Sequence, residues 1–206
     1  MPAFEATIAA LDAANADDPR RIEGEAFECV YARRMSARLA QLYPMASELL
    51  KIATRAQHLR RWEIARSAYA EGARGYNEWR RACRAHHAAC AGEIMRAHGY
   101  GEDAIAHVGA IIRKERLKKD ADSQALENVA AIVFLEYYLD DFLNKYAEYD
   151  DGKLIDILGK TLCKMSPKGH AAALALPLPT RARALIGEAL RREADALARL
   201  AAVAVD

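Results

Sequence analysis

Apolar residues recur with the spacing of an α-helix along almost the whole chain, whereas alternating apolar and polar residues are almost absent. Between Glu25 and Leu42, for example, Phe27, Tyr31 and Met35 fall on one helical face. Alanine, the best helix former, is frequent throughout. The pattern predicts an all-α fold: a single compact multi-helix domain of about eight or nine helices over residues 1–206.

Capping and helix-breaking residues predict where several of these helices begin and end. The predicted boundaries are Pro44 as the first residue of the third helix, Gly99 as a left-handed cap after a helix over about 75–97, Asp122 or Ser123 as the cap of a helix that runs to about Tyr146, and a last helix over about 180–203. One segment, from about Leu59 to Arg74, has no helical stripe. Its length of about 16 residues and its aromatic residues favour an ordered, functional loop.

Composition excludes several classes of function. The formal net charge is +1, so no global field attracts nucleic acid. No apolar stretch approaches the roughly 20 residues that span a bilayer, and the N-terminus lacks the pattern of a signal peptide. The four cysteines are scattered without a CxxC pair. We therefore expect a cytoplasmic protein with no membrane partner and no clear nucleic-acid surface, and the apolar C-terminal helix is a candidate contact for a homodimer.

Two motifs carry a resemblance to a known family. They are the stretch Ala56 to Ile64, which reads AQHLRRWEI, and the stretch Lys164 to His170, which reads KMSPKGH. With them, the chain from about Phe4 to Leu190 resembles the family catalogued as domain of unknown function 4202. That resemblance implies no established activity.

The order of elements is also similar to the HD superfamily of helical metal-dependent phosphohydrolases. His58 matches the histidine of the His-Asp pair that names the superfamily, but Leu59 replaces the metal-bridging aspartate. The first histidine of the pattern is absent, and Phe27 or Cys29 lies near its place. The absence of the bridging aspartate argues against a site with two metal ions.

The remaining matches imply a candidate active site. His87 matches a later histidine and Glu127 stands where the last aspartate is expected, so the resemblance implies that His58, His87 and Glu127 hold a single divalent metal ion. His58 and Glu127 would then be catalytic, and the substrate would be a phosphorylated small molecule or nucleotide. Basic and aromatic residues are expected to bind this anionic substrate: Arg55, Arg60, Arg61, Trp62 and Lys114.

Other interpretations of the same residues stay open. A degenerate HD-like scaffold can bind an anionic ligand without metal or catalysis. His58 and the arginines after it can also simply complement the dipole at a helix end, with their carbon stems packed on Trp62. Cys83, His87 and Cys90 share one helical face, which suits a metal site or an ordinary core stripe.

Three further features have both a functional and a structural interpretation. Glu136 and Asp140 form an i, i+4 carboxylate pair, which suits acid–base work or a solvated face. The basic run from Arg113 to Lys119 suits phosphate binding or a helix end. Ser166 and His170 suit anion binding at a helix start, or a capping serine and a surface histidine.

Overall fold

The computed structural model describes residues 3–202, so the ends of the predicted domain over 1–206 and of the predicted last helix, at Val203, lie outside the described residues. Helices account for most of this part, as the sequence predicts, but they are more numerous than predicted. The α-helices are α1 (Phe4–Ala16), α2 (Phe27–Leu42), α3 (Glu48–Arg55), α4 (Gly72–Ala97), α5 (Glu102–Arg113), α6 (Ala121–Tyr137), α7 (Leu139–Lys145), α8 (Asp151–Leu162), α9 (Pro167–Leu174), α10 (Thr180–Arg192) and α11 (Ala194–Ala201).

The chain divides into two compact units, Met1–Glu115 and Arg116–Asp206. In the first unit, α4 packs along α5, and α3 packs against both α2 and α5. In the second unit, α8 packs on α10 and α6 on α9. No helix within residues 3–202 combines the length and the apolar character needed to cross a membrane.

Side-chain caps place two helix starts differently from the sequence prediction. The third helix begins at Glu48 rather than at Pro44, because the Ser47 hydroxyl accepts a hydrogen bond from the Leu50 amide at 3.1 Å. The helix α6 is capped by Asp120, whose carboxylate accepts from the Ser123 amide at 2.7 Å; Asp122 and Ser123 therefore lie inside the first turn. In both cases the capping residue lies a few positions from the one that the sequence predicts.

Gly99 ends α4 as predicted. Its φ of +84° lies in the left-handed region, and the amide of Tyr100 donates to the carbonyl of Met95.

The segment after α3 is ordered but is not a continuous loop. It contains two single-turn 3-10 helices, Arg61–Glu63 and Arg66–Ala68, and α4 begins at Gly72, earlier than predicted. Arg60 enters the first of these turns with a left-handed φ of +52°. The Asn15 side chain accepts a hydrogen bond from the Arg60 amide at 3.0 Å, which stabilises this turn.

A two-stranded antiparallel hairpin, β1 (Arg21–Ile22) and β2 (Glu25–Ala26), precedes α2 and was not predicted. Its strands are too short to show an alternating pattern. Both turn residues, Glu23 and Gly24, have positive φ values, as a tight hairpin turn requires. The hairpin brings Arg20 back beside the start of α2, where the Phe27 amide donates to the Arg20 carbonyl at 3.0 Å.

Candidate functional site

Glu28 is a fully buried carboxylate in the first turn of α2, and sequence reasoning missed it. It shares the buried face of α2 with Tyr31 and Met35, three and seven residues later. A charged residue on an otherwise apolar stripe is the signal that could have found it, since buried carboxylates are rare without a partner. Glu28 stands between Phe27 and Cys29, near the place of the first histidine of the HD pattern.

Arg20 links Glu28 to a second buried carboxylate, Asp18. The Arg20 guanidinium donates to Glu28 Oε1 at 2.5 Å and to Asp18 Oδ2 at 2.9 Å. Burial raises the pKa of Glu28, and the hydrogen bond and charge of Arg20 only partly offset this. For Asp18 burial acts in the same direction, but the hydrogen bonds from Arg20 outweigh it and lower the pKa. The Arg20 side chain keeps 47% of its surface exposed, so the cluster reaches solvent on one side.

His58 lies just beyond the end of α3, beside Glu28. Its ring stacks on Tyr31, with the centroids 4.0 Å apart and the planes 9° from parallel. The side chain is 21% exposed, although its Nδ1 atom is buried. Burial lowers the pKa of His58 well below its usual value, so the imidazole is neutral at physiological pH. The charges of four basic residues lower this pKa further: Arg61, Lys114, Arg20 and Arg80.

His87 projects from α4 towards the same place. Its ring centroid lies 5.9 Å from that of His58, and the residue is 1% exposed. The Nδ1 atom is 2.6 Å from the carbonyl of Leu59, which accepts only if Nδ1 carries the proton. Burial, followed by the charge of His58, lowers the pKa of His87 to about 3. The ring is therefore neutral, with the lone pair on Nε2.

Glu28, His58 and His87 each have a buried polar atom without a hydrogen-bond partner among the described residues. These atoms are Glu28 Oε2, His58 Nδ1 and His87 Nε2. The first two are only 3.3 Å apart. Buried polar atoms are normally satisfied, so each exception calls for an explanation such as an absent ion or water. Two atoms that bind the same ion at about 2.0–2.1 Å also lie about 3 Å apart. We call Glu28, His58 and His87 the buried acceptor cluster.

The positive charges of two arginines, Arg61 and Arg80, act on His58, and neither arginine pairs with a carboxylate of the described residues. The Arg61 guanidinium lies 4.6 Å from the ring centroid of Trp79, and that of Arg80 lies 5.8 Å from the ring of Tyr76. Within residues 3–202, neither guanidinium forms an ion pair with an acidic side chain. Trp79 is fixed in turn by its indole N–H, which donates to the Ile64 carbonyl at 2.9 Å.

The other residues expected to bind substrate have different surroundings. Arg55 forms a two-pronged ion pair with Asp12, at 2.6 and 2.7 Å, and also donates to Ser36. Arg60 lies 3.8 Å from Glu63 across an exposed pair. These contacts occupy Arg55 in particular, so an anion would have to compete with Asp12 for it.

Trp62 and Lys114 are half-buried. Lys114 ends α5 with a left-handed φ of +58°, and its charge acts on the pKa of His58.

Glu127 is buried on α6 in the second unit, whereas both histidines belong to the first. Within the described residues, no group of three or more histidine, cysteine, aspartate or glutamate side chains has an arrangement that could hold a metal ion. Cys83 is buried and unpaired in the core stripe of α4, and Cys90 is half-buried beside His86 at 3.7 Å. The set of His58, His87 and Glu127 stays a prediction.

The second sequence motif forms a polar network inside the second unit. Asn128 accepts hydrogen bonds from the Ser166 amide at 2.9 Å and from Gln124 at 3.1 Å, and donates to the Ser166 hydroxyl at 2.8 Å. Gly169 lies against the same amide: an added Cβ would stand 2.5 Å from Asn128 Oδ1. Ser166 is the N-cap residue of α9, but its side chain makes no capping hydrogen bond to that helix, and its hydroxyl accepts from Asn128 instead.

His170 is half-buried, and its Nε2 atom lies 2.8 Å from the Leu162 carbonyl. Of the two alternatives for this residue, that of a plain surface histidine therefore does not fit the structure.

Comparison with known proteins identifies a family to which the sequence is similar. The sequence profile of a family described as "Domain of unknown function (DUF4202)" matches residues 5–186, which is most of the chain. No curated protein and no solved structure matches it.

Proposed function

The chain belongs to the DUF4202 family, and since that description names no activity, we propose a function from the geometry of the first unit: it binds a phosphorylated small molecule beside His58. The ligand's phosphate would lie against Arg61 and Arg80, next to the exposed edge of the His58 ring. This proposal covers both the hydrolase and the non-catalytic binding protein that the sequence suggests.

The observation that carries the proposal is the state of Arg61 and Arg80. Both guanidiniums contact aromatic faces instead of carboxylates, so their N–H groups stay available for a bidentate contact to phosphate. A pair of half-buried arginines without acidic partners is electrostatically unfavourable unless an anion joins them. Burial is the main reason that His58 and His87 are neutral, and the positive charge of Arg61 lowers both pKa values further.

The test is calorimetric titration of the purified chain with inorganic phosphate, pyrophosphate and adenosine monophosphate. We expect binding of at least one of them, and a loss of about 10- to 100-fold in affinity for Arg61→Gln and for Arg80→Gln, because a hydrogen bond to a charged group contributes about 1.5–3 kcal/mol. Arg74→Gln is the matched control, since Arg74 is on the same helix as Arg80, pairs with Glu78 and is 93% exposed. Equal affinity in all three variants, or no binding at all, would reject the proposal.

A second candidate function is metal-dependent hydrolysis of that ligand at the buried acceptor cluster. It requires Glu28, His58 and His87 to move closer together, because among the described residues no three such side chains are arranged to hold one ion. The cluster's three unpartnered atoms are one carboxylate oxygen and two imidazole nitrogens, which is the donor set of many catalytic metal sites. A bound divalent ion would supply a water molecule of lowered pKa for attack at phosphorus. The chain's own contribution would be orientation: the hydrogen bond to the Leu59 carbonyl fixes the His87 tautomer so that Nε2 carries the lone pair, and stacking on Tyr31 fixes the plane of the His58 ring.

Metal binding and turnover test this second function separately from the first. The experiments are titration with Mn²⁺ and Zn²⁺ and measurement of phosphate release from p-nitrophenyl phosphate. Glu28→Gln and His87→Asn should abolish both metal binding and phosphate release, whereas the phosphate affinity that depends on Arg61 should persist. A Glu127→Gln variant tests whether Glu127, which the HD-like resemblance implies as a ligand, contributes to metal binding and turnover. Phosphate binding without any metal uptake or turnover would leave a binding protein and would reject the hydrolase.

A further inference from the structure

The first unit contains a cavity whose lining residues include none of the buried acceptor cluster. Its volume is about 310 Å³, and most of its lining is apolar. The apolar lining residues come from α1, α2 and the chain before α3: Phe4, Ile8, Leu39, Ala40, Tyr43 and Pro44. An apolar cavity of about 150 Å³ admits benzene, so this one has room for about twice that volume. Its size lies at the lower end of the range for small-molecule sites.

The polar groups at one wall of the cavity are already satisfied. Arg55 donates to both carboxylate oxygens of Asp12 and to the hydroxyl of Ser36. The Ser36 hydroxyl donates in turn to the Ala32 carbonyl at 3.0 Å. The charge of Arg55 is therefore neutralised within the protein, and the recognition of a charged ligand would fall to other residues.

Two other charged residues line the cavity, and they have opposite signs. Lys51 on α3 and Glu5 on α1 are both exposed. Within the part of the chain that the structure describes, neither forms a hydrogen bond or an ion pair with another side chain. The cavity thus offers an apolar interior together with one available ammonium and one available carboxylate.

An exposed apolar side chain lies at the same place. Met45 is 93% exposed and is flanked in sequence by Pro44 and Ala46, both of which line the cavity. Methionine is flexible and adapts to varied apolar partners. A methionine in this position can fold onto a ligand that fills the cavity, which would bury a side chain that water otherwise surrounds.

From these features we propose that the cavity binds a small zwitterion with an apolar body, of the class of an aromatic α-amino acid. The ligand's carboxylate pairs with Lys51, its ammonium pairs with Glu5, and its ring fills the space beside Phe4 and Leu39. The site is separate from the proposed phosphate site, and it does not depend on that function.

The experiment is calorimetric titration of the full chain with three matched probes: L-phenylalanine, 3-phenylpropanoate, which lacks the amine, and phenethylamine, which lacks the carboxylate. We expect L-phenylalanine to bind about two- to fivefold more tightly than either analogue, since a solvent-exposed ion pair contributes up to about 1 kcal/mol. Lys51→Gln should abolish the preference over phenethylamine, and Glu5→Gln the preference over 3-phenylpropanoate.

Two further variants complete the test. Ala40→Trp should fill the cavity and abolish binding of all three probes, whereas Lys160→Gln, an exposed lysine of the second unit, should change nothing. The proposal is overturned if an analogue binds as tightly as L-phenylalanine, if no probe binds, or if the Ala40→Trp protein, folded by circular dichroism, still binds them.

Discussion

The Nδ1 atom of His58 lies 3.3 Å from Oε2 of Glu28, yet within the described residues neither atom has a hydrogen-bond partner. A histidine this close to a carboxylate usually gains a proton and forms an ion pair. Here burial and the surrounding guanidinium charges prevent that, and the pKa of His58 falls. If the proton of neutral His58 is on Nε2, a proton donor or cation bound here would find two acceptors, Glu28 Oε2 and His58 Nδ1.

The neutral histidines predict an acid-sensitive fold. The pKa of His87 is about 3 in the folded chain and about 6.5 in an unfolded one. A lowered folded-state pKa means that the stabilisation is complete above pH 6.5 and is lost as the pH falls towards 3. Lowering the pH from 6.5 to 5 should cost about 2 kcal/mol through His87 alone, and His58 titrates in the same direction.

Urea unfolding between pH 7 and 5 measures this effect. His87→Asn keeps an amide donor for the Leu59 carbonyl but cannot titrate, so its stability should fall less steeply with decreasing pH, by about 1 kcal/mol per pH unit on average between pH 7 and 5. The exposed His107 supplies the control variant, His107→Asn. Parallel pH profiles for wild type and His87→Asn would contradict the prediction.

The two carboxylates that share Arg20 should respond oppositely to neutralisation. The pKa of Glu28 is raised, mainly by burial, so its charged form is unfavourable in the folded chain above its pKa. Glu28→Gln should therefore keep or increase the stability at pH 7, by up to about 1 kcal/mol, and the difference should vanish near pH 4. A residue that costs stability yet is buried in a candidate site is typical of function.

Asp18→Asn is the matched counterpart. The hydrogen bonds from Arg20 outweigh the effect of burial and lower the pKa of Asp18, so its charged form stabilises the fold at neutral pH. We expect Asp18→Asn to lose about 1–3 kcal/mol of unfolding free energy at pH 7, because Arg20 and the Glu28 amide lose a charged acceptor. Chemical denaturation of both variants at one pH decides the question; equal destabilisation by the two would refute it.

Gly169 should tolerate no side chain. A Cβ there would stand 2.5 Å from Asn128 Oδ1, an atom held by the Ser166 amide and by Gln124. Gly169→Ala should therefore lower the midpoint of thermal unfolding through a cost of about 1–3 kcal/mol. Gly187→Ala is the contrast, since nothing lies within 4 Å of its Cβ position and alanine favours the interior of α10 by about 1 kcal/mol. If Gly169→Ala leaves the midpoint of thermal unfolding unchanged, the hydrogen-bond network of Asn128 accommodates the added Cβ and the prediction is wrong.

Much of the helical fold could be predicted because helix formation depends on local patterns. The apolar stripe of α2 and the glycine cap at Gly99 depend only on residues close together in sequence, and the structure confirms both. The starts of α3 and α6 were misplaced because several capping residues stand close together, and only the structure shows which side chain reaches the amide. The HD-like architecture stays a prediction.

The sequence predicts only part of the candidate site. Motif and spacing predict His58 and His87 as site residues. Glu28 and Arg20 did not, because their significance depends on contacts between a hairpin, a helix start and a segment some 30 residues later. Arg80 was missed for a similar reason: in sequence it is one of many arginines on an ordinary helix.

Asn15 shows how far the site's geometry extends. It is almost fully buried, and its amide oxygen fixes the left-handed turn at Arg60, 45 residues away in sequence. That turn lies between His58 and Arg61 in the chain, so it sets the position of Arg61 relative to His58. In a mutational scan for ligand binding, substitutions at Asn15 would score like those at contact residues, although this side chain need touch no ligand.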